Sequence, residues 1–131
     1  MHKFWFDYVK TCYDLVVESE EFSDLKLEHT VEAYVVHLMA KNFNRTDIGN
    51  KAVAIQLLEA VNSKNRSEYV AVGDECLLIH SYPLKQNKWP NKTYYSDMGT
   101  TAYGLAGHEM ENHFLAAAKI LNVIFSRSLA K

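Results

Sequence analysis

The segment "HTVEAYVVHLMAKNF", residues 29 to 43, decides the fold class. Its apolar side chains Val31, Tyr34, Val35, Leu38 and Met39 recur at the i, i+3, i+4, i+7, i+8 spacing that lines them up on one stripe of an α-helix. No strand-like alternation competes with that period, so the stripe must be covered by other helices.

The same period runs outward from this segment. Downstream, Val53, Ala54, Leu57, Leu58 and Val61 carry it through Ala52 to Val61, after a break at Thr46-Asp47 and Gly49-Asn50 that reads as a loop ending in a helix cap. Ser67 and Glu68 open a further helix, with Val70, Gly73, Leu77 and Leu78 facing inward until Pro83 stops it. Leu84 to Asn91 has no period and reads as a loop. Tyr94 to Leu105 then sets Tyr95, Met98, Ala102 and Leu105 on one side, and a last helix presents Met110, Phe114, Ala117, Leu121 and Ile124. Arg127 and Lys131 suit the negative end of that helix's dipole. Upstream, Phe4, Tyr8, Cys12, Leu15 and Val16 predict one more helix, and "ESEEFSDLKLE", residues 18 to 28, reads as a solvated acidic turn.

No internal repeat or linker divides these elements, and 131 residues suffice to bury a core without disulfide or metal staples. The expectation is a single all-α domain over residues 1–131, a bundle of about five to six helices.

Composition narrows the partners. With 48% hydrophobic and 23% charged residues the chain resembles a folded domain rather than a disordered one. Lys+Arg 14 against Asp+Glu 16 gives a net charge of −2, so no basic field draws nucleic acid or an anionic membrane, and neither is expected as a partner. No apolar run approaches the ~20 residues of a membrane span. Asp7 and Asp14 interrupt the N-terminal aromatic stretch and no signal-peptide pattern follows, so a soluble cytoplasmic protein is expected. Cys12 and Cys76 both fall inside apolar helical patterns, where a thiol acts as a small hydrophobe rather than half of a disulfide. The sequons beginning at Asn44, Asn65 and Asn91 read as helix-start chemistry.

Four places carry candidate chemistry. "HEMENH", residues 108 to 113, combines two histidines and two glutamates, but its histidines are spaced i, i+5 and so are rotated by roughly 140° on a regular helix, which prevents them sharing a metal. Glu109 with His113, and His108 with Glu111, keep pairing distances. Asp74 shares a helical side with Val70, Leu77, Leu78 and Ser81, so its carboxylate needs a partner from elsewhere. His80 reads first as a hydrogen-bonded helix-end histidine. Asp97 groups with Tyr94, Thr101 and Gly104, a polar and small set that can line a pocket, although close helix approach explains the glycines equally well. No phosphate-binding glycine fingerprint, nucleophile elbow or cysteine-protease signature occurs, and no cofactor is implied.

"VGDECLL", the Tyr82-Pro83 pair and "YYSDMGTTAYGLA" form one spaced signature across Val72 to Ala106. It resembles a family of small, uncharacterised bacterial helical proteins of the form VGDxxL, aromatic-Pro, YYxxMGxxAY. The matching positions are Gly73, Asp74, Pro83, Tyr94, Tyr95, Met98, Gly99, Ala102 and Tyr103. The "HSYP" segment departs from the small-residue and Phe-Pro form of that pattern. The resemblance implies a bacterial cytoplasmic protein and brings no activity with it.

Three functional expectations follow, one of them a purely structural subunit of a larger assembly. Another is a helical binding or interaction domain, self-associating as a homo-oligomer or holding a small ligand near Asp74, Tyr94, Tyr95, Asp97 and Thr101. The third is a metal-dependent enzyme using His80, Glu109 and His113 with a carboxylate from Asp74 or Glu59. In each case Asp74 is expected to meet the Tyr94 to Tyr103 segment, with a tyrosine hydroxyl, a backbone N–H or Thr101 donating to its carboxylate.

Overall fold

The computed structural model describes residues 2–42, 45, 52–82 and 92–129, with side chains described from residue 5 to residue 127 within those ranges. The loop and cap expected at Asn44, Thr46, Asp47, Gly49 and Asn50, Pro83 with the loop to Asn91, Lys131, and the side chain of Phe4 lie outside the described residues. Among the described residues there are six α-helices and no strand: α1 (His2–Ser23), α2 (His29–Lys41), α3 (Val53–Ser63), α4 (Arg66–Ser81), α5 (Lys92–Leu105) and α6 (Phe114–Leu129), with a 3₁₀ turn at Glu109–Asn112 before the last. The all-α bundle is therefore as the periodicity dictates.

Two antiparallel pairs organise it. In the first, α1 packs on α2 across a turn that Asp24 enters at φ 52°. In the second, α4 lies against α5 in a register set by glycines: a Cβ on Gly73 would stand 2.6 Å from the Tyr103 ring, and one on Gly99 would run into the Phe114 ring and stand 2.9 Å from Cys76 Cβ. Missing side chains let the two backbones approach. Arg66 Nε at the start of α4 donates to the Ala106 carbonyl past the end of α5 at 2.7 Å, which fixes the opposite sense of the two helices. The last helix, α6, crosses both pairs and supplies buried Phe114, Ala117, Ile120, Leu121 and Ile124. Cys12 and Cys76 are both buried free thiols.

Local chemistry explains the ends. Asn65 caps α4, its side-chain oxygen accepting from the Ser67 N–H at 2.9 Å, as its sequon suggested. Gly107, at φ 65°, stops α5: the His108 N–H reaches back to the Tyr103 carbonyl at 2.9 Å and the Gly107 N–H to Gly104 at 3.0 Å.

That stop corrects one expectation. His108 to Asn112 is no part of a regular helix; His108 N-caps the 3₁₀ turn instead, its Nδ1 accepting from the Met110 N–H at 3.1 Å. A second correction concerns residues 18 to 28. The helix α1 continues to Ser23, and Ser19 and Glu20 lie on its buried stripe with Cys12 and Val16, so only the stretch after Ser23 forms the turn. Glutamate is a good helix former, and its charge is accommodated by tertiary partners rather than by water. The stripe of α3 is also narrower than expected. Val53 and Ala60 are buried, but Leu58 and Val61 are 63% and 43% exposed, because α3 packs chiefly on α4. Leu105, expected inside, is exposed at the last turn of α5.

Candidate functional site

Asp74 is held by two tyrosines from two other helices. The Tyr103 hydroxyl of α5 donates to Asp74 Oδ1 at 2.6 Å, and the Tyr34 hydroxyl of α2 donates to the same oxygen. This ties α2 and α5 to α4 at one point. Among the described residues no donor reaches Oδ2. The His108 ring closes the cluster, with its centroid 4.8 Å from that of Tyr34 and 5.3 Å from that of Tyr103.

Burial pushes the Asp74 carboxyl above its ordinary 3.8, against the opposing pull of the Tyr103 and Tyr34 hydroxyls and of Lys41 and His108. Burial and the neighbouring Asp74 charge raise both tyrosines far above their ordinary value, so they remain hydroxyl donors. The pattern fits either protonation state of Asp74. Both hydroxyls use Oδ1, so a proton on Oδ2 leaves the carbonyl oxygen to accept them.

On its other side Asp74 lines a cleft of about 280 Å³. Lys41, Asn42 and Arg45 border it at the end of α2, Gln56 and Glu59 come from α3, and Glu68, Asp74 and Glu75 come from α4. Arg45 grips Glu75 with both nitrogens, at 2.9 and 3.1 Å, so that cation is already answered. Glu68 accepts a hydrogen bond from Ser63. The remaining charges are Glu59, Glu68 and Asp74 facing Lys41.

The residues singled out in the sequence are partly dispersed. Asp74 does meet the Tyr94 to Tyr103 segment, through the Tyr103 hydroxyl. Tyr94 and Tyr95 lie near the start of α5, nine and eight residues before Tyr103 and hence about 12–13 Å away along the axis. Their rings meet edge to face at 5.2 Å. Asp97 and Thr101 are exposed, on the side of α5 that Gly99, Ala102 and Tyr103 leave to solvent. Asp74 and Asp97 therefore do not share a pocket.

The alternative metal set is not assembled. Glu109 accepts from Thr30 Oγ1 at 3.3 Å, His113 Nε2 stands 3.4 Å from Glu28, and His80 packs edge to face on Phe114. Among the described residues no three His, Cys, Asp or Glu side chains come close enough to hold a metal ion. His80 also departs from its hydrogen-bonded reading: its buried Nδ1 has no hydrogen-bond partner among the described residues. Burial, with help from Lys92, lowers its pKa below the ordinary 6.5. Burial pushes the Cys76 thiol up to about 12, with Glu75 adding to the shift, which removes it as a nucleophile.

No protein-family model, curated protein or solved structure matches this chain.

Sequence reasoning missed Tyr34, Lys41 and Glu68. Tyr34 carried a signal: a tyrosine on an inner stripe brings a hydroxyl that needs an acceptor, just as Asp74 on an inner stripe needs a donor. The other two are surface-type residues whose convergence depends on how α2 and α3 sit on α4.

Proposed function

We propose that this protein is a binding domain that holds a small ligand bearing an amino or guanidino group in the cleft bounded by α2, α3 and α4. One observation carries the reading: Asp74, pinned by Tyr34 and Tyr103, also lines that cleft beside Glu59 and Glu68. A carboxylate held rigidly by the fold at the edge of a cavity is a pre-organised acceptor, and three carboxylates facing one lysine favour a cation. Among the described residues that line the cleft there is no serine, threonine, cysteine or histidine, so binding rather than turnover is the reading taken.

Thermal-shift titration with small diamines and free arginine, set against dicarboxylates and neutral polyols, tests it. The amines are expected to raise the melting temperature and the others not, with the effect weakened in Glu59→Gln. Stabilisation by dicarboxylates instead, or by no class of probe, would contradict the reading.

A second reading, self-association, has its own observation. Ile55, Leu58 and Val61 project from α3 with 60%, 63% and 43% of their surfaces exposed. Sedimentation equilibrium is expected to show concentration-dependent dimers that Leu58→Glu abolishes; a monomer at all concentrations removes this reading and leaves the cleft untouched.

A further inference from the structure

Glu20 near the end of α1 and Glu32 in the first turn of α2 are 5% and 3% exposed, less than any other acidic residue among the described residues. Two carboxylates dried side by side repel each other and lose their hydration, so the fold must answer both. Glu20 Oε2 accepts the Leu27 N–H at 2.9 Å. Its Oε1 lies 3.4 Å from Lys26 Nζ, and the same ammonium is 2.7 Å from Glu32 Oε2. Both carboxyl groups thus converge on one ammonium, which brings them next to each other. Ionised carboxylates only accept, so the two can hydrogen-bond to each other only when one of them carries a proton.

Charge counting leads to the same place. Lys26 supplies one positive charge to two carboxyls, so the trio is neutral only while one proton stays. Among the described residues no second lysine or arginine forms an ion pair with either carboxyl. From α1, Glu21 and Asp24 line the adjoining hollow of about 310 Å³ and add only negative charge. From α2, His29 acts weakly on Glu32. From α6, Arg127 is engaged by Glu18 at 2.9 Å and Lys119 is exposed; between the 3₁₀ turn and α6, His113 faces Glu28.

We propose that Glu20 and Glu32 keep one shared proton and, with Lys26, form a proton-operated clasp on the α1–α2 turn, closed while that proton is held and loosened when it leaves. Opening would free the Leu27 N–H and uncover Leu25 and Leu27 beside the hollow. Burial, then the bond to Glu32, raises Glu20 above its ordinary 4.5; the bond from Glu20, then Lys26, holds Glu32 below it, working against burial. Glu20 therefore contributes stability that is full below 4.5 and is lost as pH rises through its elevated value, and Glu32 contributes stability that is lost as pH falls through its depressed one. The clasp is tightest between the two, and the two steps belong to the pair.

Amide hydrogen exchange at Leu27, corrected for intrinsic rates and referred to a core amide such as Leu121, reads the clasp directly. In the wild type, Leu27 protection is expected to fall with rising pH above 4.5 by up to about tenfold per pH unit, then level off once Glu20 is ionised. Glu20→Gln keeps a donor for Glu32 and an acceptor for Leu27 without a titrating proton, and its protection should be flat over the same range. A flat wild-type profile, or an undiminished slope in Glu20→Gln, overturns the clasp. Should Glu20→Gln not fold, carboxyl-carbon NMR of the wild type decides: two midpoints on opposite sides of 4.5 support the shared proton, and coincident midpoints at 4.5 refute it.

Discussion

Gly73 lies so close to the ring of Tyr103 that a Cβ built on it would stand 2.6 Å from Cε1. The ring fills the place of the missing side chain, and its hydroxyl thereby reaches Asp74, the next residue along α4. Tyr103 is fully buried and cannot swing aside. Gly73→Ala should therefore destabilise by about 1–3 kcal/mol through overpacking, although alanine is the better helix former by about 1 kcal/mol. Urea unfolding measures this; a gain in stability would mean that the ring gives way freely.

Gly99 makes the same argument at the other contact of α4 with α5. A side chain there meets the Phe114 ring and Cys76 Cβ at once, both in the core. Gly99→Leu should cost more than Gly99→Ala, with the smaller change already costing about 1–3 kcal/mol. Equal stability of the two variants would show a cavity where close packing is claimed.

At Asp74 the two obvious substitutions should separate. Asp74→Ala strands two tyrosine hydroxyls and should cost about 1–3 kcal/mol. Asp74→Asn keeps an oxygen that accepts both. Because the folded Asp74 pKa is raised above 3.8, its stabilising contribution is full below 3.8 and is lost as pH rises through the folded value. At neutral pH Asp74→Asn should then match or exceed the wild type, with the difference shrinking as pH falls toward 3.8. Chemical unfolding across that range checks the sign, and an asparagine variant as unstable as the alanine one would show that the charge itself holds the two tyrosines.

Much of this was legible in the chain. The stripes of α2 and α6 follow directly from periodicity, and the need of Asp74 for a donor followed from its place beside Leu77 and Leu78. Less legible was the choice of partner. Helical spacing groups Asp97 and Thr101 with Tyr94, but which side of α5 turns inward is decided by Gly99 meeting Phe114 and by Gly73 admitting Tyr103, contacts between residues far apart in sequence. The acidic stretch after Val17 failed for a related reason: Glu20 is buried only because Lys26 and Glu32 come to it, and composition alone makes such a run look solvated.

His80 gives a pH signature of its own. Its folded pKa lies below 6.5, so the unfolded chain binds the proton first and stability should fall as pH drops through 6.5 toward the folded value. His80→Phe retains an aromatic contact with Phe114 and removes that slope. Thermal melts of both proteins below neutral pH make the comparison, and parallel profiles would assign the acid loss to other groups.

The cleft is tested most directly by amide-resolved NMR during titration with a small diamine. Saturable shifts are expected at Lys41, Asn42, Gln56, Glu59, Glu68 and Asp74, the residues that border the cavity, and are expected to weaken in Glu59→Gln while the Tyr103 amide stays in its native position. Shifts absent from these amides, or unchanged by Glu59→Gln, would contradict a cation-binding cleft built around Asp74.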